Sequence, residues 1–414
     1  MPKQWTNEVF QHEVTRAATL DASWYLDPAV YELELERIFA RTWQAVGRVD
    51  ALAKPGDFFT SDAAGEPIIV ARDQAGQIRA YYNVCPHRAG ALARGTGSRK
   101  TFQCLYHGWT FNLDGKLLNA PGMNDEIDKS CYGLHEVRVE LWGAYIFVNL
   151  DPNAPSLHDL WGAEFGRITG IKLDEWTLVE RAEYTLNCNW KVYMDNYAEG
   201  YHVPFAHPGL SREMSLDDLY VDTYRYFSTQ WAPVRAANHG NPSKRLYRNP
   251  QPDDQICFHA VFPNFMIDDY PDNLSVNIVK PLSVDKTLLS FEWYFKSDLP
   301  AELRETMVKF ADEVQYEDIE ICEYVQQNLK SRAYQRGRFS SRYENGVHHH
   351  QALVAAYVNE QPIPNIIRVQ SPKALAALES DPALAETYRA GVMQVFPSAS
   401  TVEGSPSNAG EAAD

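Results

Sequence analysis

Apolar positions recur at helical spacing near the start of the chain, then alternate for about a hundred residues, then mix both periods. Asp27-Pro28 reads as an N-cap followed by the first helical residue. Tyr31, Leu35, Ile38 and Phe39 supply the apolar stripe of a helix that runs to about Thr42. From about Ala45 to Leu150 the pattern is that of strands. Residues 68–72 and 78–84 flank the hairpin tip Asp73-Gln74-Ala75-Gly76, residues 109–113 turn at Asp114-Gly115, and 137–141 with 145–148 close the unit. Asp151-Pro152-Asn153-Ala154-Pro155 reads as a linker. Beyond it, residues 184–202 read as largely helical once past Asn187-Cys188-Asn189. Strands are expected at 223–231, 256–267, 274–279 and 287–295, and a long helix at 303–331. The fold class is α+β: a small all-β domain presenting two loops at one end (45–155), then a domain of antiparallel sheet and long helices (156–396). An N-terminal segment (1–44) packs on the second domain, and the Ser-, Gly-, Ala- and Pro-rich acidic tail (397–414) is expected to be disordered.

Composition narrows the classes. A chain of 414 residues accommodates two domains with real cores, and 45% hydrophobic with 22% charged residues is ordinary for a globular protein. A net charge of −17 argues against a nucleic-acid partner. No apolar run is long enough to span a bilayer, so no membrane role is expected. Residues 1–8 lack the basic and apolar regions of a signal peptide, and a cytoplasmic location is the expectation. The cysteines at 85, 104, 131, 188, 257 and 322 are too dispersed for a disulfide framework. Four of them lie outside metal-type spacing and are expected to be buried, inert thiols.

The other two sit in Cys85-Pro86-His87 and Cys104-Leu105-Tyr106-His107, with 16 residues between the pairs. Two thiolates and two imidazoles in this order suit a [2Fe–2S] cluster with cysteines on one iron and histidines on the other, the ligand set of a Rieske centre. A structural zinc site usually draws both cysteines from one knuckle and both histidines from another, whereas here each loop gives one of each. Gly90 and Gly108 would allow the tight turns beside these ligands.

A second constellation follows at Asn196-Tyr197-Ala198-Glu199-Gly200-Tyr201-His202-Val203-Pro204-Phe205-Ala206-His207. On an uninterrupted helix His202 and His207 would point apart. Pro204 is expected to end the helix near His202, so that His207 can turn back to the same point. On the long helix, Met307, Phe310, Val314, Ile321, Val325 and Leu329 form the apolar stripe, and Asp318 falls inside it while Glu313, Glu317 and Glu320 fall away. A buried carboxylate needs compensation, and a cation shared with two histidines would supply it: the facial triad of non-haem Fe(II) oxygenases. His348-His349-His350 is read as structural or surface rather than metal-binding.

With these residues quoted, the chain resembles, end to end, the α subunits of Rieske non-haem iron oxygenases, the ring-hydroxylating dioxygenase family. The resemblance implies a Rieske domain inserted into a helix-grip catalytic domain, and a homotrimer in which one subunit's cluster serves its neighbour's iron. It implies Cys85, His87, Cys104 and His107 as cluster ligands, His202, His207 and Asp318 as iron ligands, and Asn196 beside the iron. Glu199 stands where the aromatic dioxygenases usually carry an aspartate that bridges the two centres. That departure, with Asp195-Asn196-Tyr197 and Phe262-Pro263-Asn264-Phe265-Met266-Ile267, looks more like the choline, carnitine and glycine betaine monooxygenase branch. O2 is then the co-substrate. No Gly-x-Gly-x-x-Gly fingerprint follows a strand, so NAD(P)H is expected to act through a separate flavin or iron–sulfur reductase, directly or by way of a ferredoxin.

Two substrate classes are open at this point. A quaternary or tertiary amine would be hydroxylated beside nitrogen, with Tyr197, Tyr201, Phe205, Tyr270 and Trp293 as candidate cation–π faces. An aromatic compound could stack on the same residues. A third reading, a pure electron carrier, conflicts with an intact His202, His207 and Asp318.

Overall fold

The computed structural model describes residues 7–235 and 253–389. The expected tail at 397–414 lies outside the described residues. The first unit is built on β1 (Gln44–Arg48), β2 (Asp57–Ala63), β3 (Glu66–Arg72), β4 (Ile78–Tyr82), β5 (Thr96–Ser98), β6 (Thr101–Gln103), β7 (Thr110–Asn112), β8 (Leu117–Asn119), β9 (Glu136–Trp142) and β10 (Tyr145–Asn149). Seven of these run in the order β1-β10-β9-β4-β3-β2-β5, and β6-β7-β8 form a separate small sheet. Phe58, Ile69, Tyr81, Phe102, Trp109 and Phe111 fill the space between the two sheets, below the cysteine loops. Alternate residues of β3 face two cores, Ile69 and Ala71 on one side and Ile68 and Val70 on the other, so the central strands are buried on both faces.

The second unit is a seven-stranded antiparallel sheet, ordered β11-β17-β16-β15-β14-β13-β12. Its strands are β11 (Thr177–Leu186), β12 (Tyr220–Thr223), β13 (Phe227–Pro233), β14 (Gln255–Val261), β15 (Phe265–Asp269), β16 (Asn273–Ser283) and β17 (Lys286–Phe295). Residues 184–186, ahead of the helix expected past Asn189, are the end of β11, where Tyr184 and Leu186 alternate with exposed residues. The single strand expected at 256–267 is two, folded back at the cis Phe262–Pro263 bond. Three helices cover this sheet: Trp190–Tyr197, the long Ala301–Asn328, and Asn345–Val358. Asn189 caps the first by accepting from Lys191 N at 3.0 Å.

The helix Asn345–Val358 was not legible as an element, because it is apolar on nearly every side and has no polar face. Its three histidines are buried, not on the surface. His348 Nε2 meets Val9 O at 2.8 Å and His350 Nε2 meets Pro263 O at 2.9 Å, so the tract is structural. Cys131 is exposed, against the expectation of burial, whereas Cys188, Cys257 and Cys322 are buried.

The N-terminal helix Pro28–Glu34, capped by Asp27, shares a core with the second unit through Val30, Ile38, Phe39, Trp190 and Leu353. Glu34, overlooked in the stripe, is fully buried and pairs with buried Lys191 at 2.6 Å. The two sheets also meet through a buried polar knot. Arg48 on β1 reaches Tyr294 and Glu292 on β17, and Tyr145 Oη lies 2.8 Å from Tyr294 Oη.

Candidate active site

The site helix ends at Tyr197, earlier than its apolar pattern implied, and the chain passes through Gly200 before a short second helix, Val203–Ala206. Pro204 occupies the first turn of that second helix, where its missing N–H costs nothing, and does not terminate the first. Tertiary packing still delivers the expected convergence. The rings of His202 and His207 lie 5.0 Å apart at 83°, and Asp318 enters from the long helix. His207 Nε2 is 3.0 Å and His202 Nε2 3.7 Å from Asp318 Oδ1. One ligand atom of each residue lies within 4.8 Å of the others, a spacing that suits three ligands of one ion.

Carboxylates orient both histidines from behind. Glu199 Oε1 accepts from His202 Nδ1 at 2.5 Å, and Glu317 Oε2 from His207 Nδ1 at 2.7 Å. A ring that donates through Nδ1 presents the lone pair of Nε2 to a metal. Burial opposes charge on His207, but Asp318 and Glu317 outweigh it and raise its pKa. Asn196 Nδ2 donates to Asp318 Oδ1 at 2.5 Å and fixes the carboxylate. Glu317 corrects the helical reading, which turned it away from the site. Met307, Phe310 and Leu329 of the expected stripe are buried, but between them the long helix is rotated so that Gln315, Cys322 and Gln326 are the buried positions, while Val325 is exposed. That rotation brings Glu317 and Asp318 to the two sides of His207.

Beside the triad opens a cavity of about 80 Å³. The pleat explains its wall: Gln230 pairs with Phe258, Phe258 with Asp268, Asp268 with Ser275, and Asn277 with Phe291. Gln230, Phe258, Asp268, Tyr270, Asn277 and Phe291 thus line the pocket from one face of the sheet. Of the five aromatic candidates, Tyr197 and Tyr270 line it. The other three are placed elsewhere. Trp293 is buried in the core between sheet and helices, Tyr201 stacks on Tyr343 at 5.4 Å, and Phe205 is 82% exposed. Tyr193, Phe258 and Phe291 are the pocket aromatics that sequence reasoning missed; strand alternation about Asp268 would have found Phe258.

The two cysteine loops come together at the end of the first unit. Cys85 and Cys104 are buried side by side. Burial pushes the Cys85 thiol up to about 11, and Cys104 beside it adds to the shift. His87 and His107 rings lie 4.7 Å apart, with His87 stacked on Trp109. Both Nδ1 atoms are buried and have no hydrogen-bond partner, as ligand atoms of a metal centre would be. Gly90 leaves room for this cradle, since a Cβ there would come within 2.7 Å of Cys104 Sγ. The turn itself uses Ala89 at φ 54° and Gly108 at φ 73°. Donor set and orphaned nitrogens fit a Rieske cluster.

A second grouping, Cys257, His259 and Asp269, faces the opposite side of the sheet. Lys373 acts electrostatically on all three and lies 5.0 Å over the ring of Trp231.

A Rieske-type loop pair and a two-histidine, one-carboxylate triad under an antiparallel sheet together define a Rieske non-haem iron oxygenase. Residues 42–138 match the Rieske [2Fe-2S] domain, and 173–360 the ring hydroxylating alpha subunit (catalytic domain). The chain is 35% identical over 357 residues to the chloroplastic choline monooxygenase of Arabidopsis thaliana (82% of each chain). It is 30% identical over 356 residues to the carnitine monooxygenase oxygenase subunit of Escherichia coli K12 (82% of this chain, 93% of that one). The solved quaternary ammonium Rieske monooxygenase CntA with L-carnitine superposes with a TM-score of 0.71 at 29% identity, covering 86% of this chain and 99% of that one. The chain belongs to the ring-hydroxylating oxygenase α-subunit family and is an oxidoreductase with a Rieske [2Fe–2S] domain and an iron-binding catalytic domain. No described helix is long and apolar enough to cross a membrane.

Proposed function

We propose that this chain is the terminal oxygenase of an amine monooxygenase, hydroxylating a quaternary or tertiary amine at a carbon next to nitrogen. One observation carries the reading: the pocket beside the triad is walled by Tyr193, Tyr197, Phe258, Tyr270 and Phe291 and contains the buried Asp268. Aromatic faces and a carboxylate suit a cation. Among the described lining residues there is no Lys or Arg to receive a carboxylate, which favours a substrate whose only charge is the ammonium. Relatives named choline and carnitine monooxygenase support the same class.

Cys85, His87, Cys104 and His107 would hold the cluster, and His202, His207 and Asp318 the iron. When bound, the cluster supplies single electrons and the iron supplies O2 activation. One oxygen atom enters the C–H bond, and the other leaves as water with two electrons and two protons. NAD(P)H provides the electrons through a separate reductase. The resulting hydroxyl next to nitrogen collapses to an aldehyde and a dealkylated amine.

Glu199 orients His202, and Tyr201 and Phe205, close to it in the chain, are 51% and 82% exposed. Leu105 and Tyr106, 59% and 57% exposed, flank His107 on the cluster loop. These two apolar surfaces support a homotrimer in which the cluster of one protomer docks beside Glu199 of the next. Electrons would then leave through His87 or His107. CntA, whose structure is described as revealing inter-subunit electron transfer, is a relative in which this question has been addressed.

The test is NADH- and O2-coupled turnover of the purified protein with a generic reductase against choline, carnitine, betaines and aromatic acids. Product formation confined to the ammonium compounds is the expected result; turnover of the aromatic acids alone overturns the reading.

A further inference from the structure

We infer that Asp268 and Asn277 form the ammonium-binding subsite of the pocket, with Asp268 as the counter-charge that selects a cationic head group over a neutral one of the same shape. This deepens the amine-oxygenase reading and rests on it.

Asp268 lies on β15, 9% exposed, on the pocket face of the sheet. Tyr197 Oη donates to its Oδ1 at 2.6 Å; Ser275 Oγ and Asn277 Nδ2 donate to its Oδ2 at 2.6 and 2.9 Å. Three donors hold the carboxylate in one orientation, but all three are neutral. Among the described residues no Lys, Arg or His pairs with it. The other carboxylates of the pocket are committed. Asp318 faces His202 and His207, and Glu199 is bonded to His202. Asp268 alone is buried, firmly placed and without a counter-ion.

An unpaired carboxylate out of water costs several kcal/mol, and a fold that retains one on a cavity wall leaves a place for a cation. Asn277 points the same way. Its Nδ2 is spent on Asp268, which fixes the amide, and its Oδ1 is buried with no hydrogen-bond partner. Its acceptor oxygen thereby adds a partial negative charge to the wall that carries the Asp268 carboxylate. Phe258 and Tyr270 sit on the same sheet face and meet edge to face at 6.2 Å, while Tyr197 closes the far side. A tetraalkylammonium has no N–H to satisfy. It needs only a negative field and aromatic faces, and this wall provides both.

The decisive experiment compares choline with its neutral tert-butyl isostere, in which carbon replaces nitrogen, on the intact cluster- and iron-loaded protein. Dissociation constants from anaerobic calorimetry are measured beside KM and kcat. The wild-type protein should bind choline about tenfold or more tightly than the isostere. In Asp268→Asn the choline dissociation constant should rise about tenfold or more while that of the isostere holds, with cluster absorption and iron content unchanged. Ser275→Ala, which removes a donor and keeps the charge, should retain the preference. An Asp268→Asn protein that folds and still prefers the cation overturns the subsite and leaves the amine reading standing. If that variant does not fold, the wild-type comparison decides alone, since equal affinity for choline and isostere overturns the subsite. Wild-type turnover of aromatic acids with no turnover of any ammonium compound is a different result, and it sinks the amine reading itself.

Discussion

Glu199 accepts the Nδ1–H of His202 at 2.5 Å, and its second oxygen accepts the backbone N–H of Tyr201 and of His202. One carboxylate therefore sets both the ring's tautomer and the course of the chain around it. Glu199→Ala should lower iron affinity by about 10- to 100-fold, the usual cost of losing such an outer-shell partner, and turnover should fall with it. Glu199→Gln keeps an acceptor and should recover part of the iron. Metal analysis after dialysis against a weak chelator checks this; unchanged iron retention in the alanine variant would remove Glu199 from the site.

His202→Ala should keep the visible absorption of the cluster and lose both the mononuclear iron and turnover. The two centres are built by separate loops on separate sheets, so damage to one leaves the other assembled. Retained turnover contradicts the assignment of His202 as a ligand.

Glu317→Ala should also reduce iron retention, by about tenfold or more, through the freed Nδ1 of His207. Its side chain is 43% exposed, so the melting temperature should hardly move. A large loss of stability with full iron content would instead make Glu317 a structural residue.

Lys191→Met should destabilise the fold by about 3–5 kcal/mol, because it strands Glu34 in a core where both partners are almost fully buried. Adding Glu34→Gln should restore much of that loss. Chemical denaturation of the single and double variants provides the comparison.

Acid should weaken the helix Asn345–Val358 as pH falls below the ordinary histidine value of about 6.5. Burial lowers His348, His349 and His350 to about 4, 3 and 4. In the unfolded chain these rings take up protons below about 6.5, whereas in the fold they stay neutral, so stability is full above that pH and is lost as pH falls toward 4. At pH 5 the loss is about 2 kcal/mol for each histidine. A thermal melt series from pH 7.5 to 5 should show it, with a shallower fall in His349→Gln. A slope that this variant leaves unchanged would place the acid sensitivity elsewhere.

Local sequence determined the chemistry of this protein. Cys-x-His and Cys-x2-His specify a mixed-ligand cluster because those atoms and spacings serve little else. The hairpins around them were readable because short runs of β-branched and aromatic residues are punctuated by turns that need Gly and Asp. His202, His207 and Asp318 were also legible, the last as a charge on an apolar stripe.

What sequence could not determine was direction. A helical pattern fixes which residues share a face but not how far the helix rotates against its neighbours. Only packing against the sheet moved Glu317 to His207 and Val325 to solvent. Likewise an aromatic residue is equally apolar in a core and on a pocket wall. The pairing of β13 to β17 put Phe258, Asp268, Tyr270, Asn277 and Phe291 together, while Trp293, two residues beyond Phe291 on the same strand, fell in the core. The candidate ligand set is a property of residue type and spacing; the pocket wall is a property of strand register, which long-range pairing alone decides.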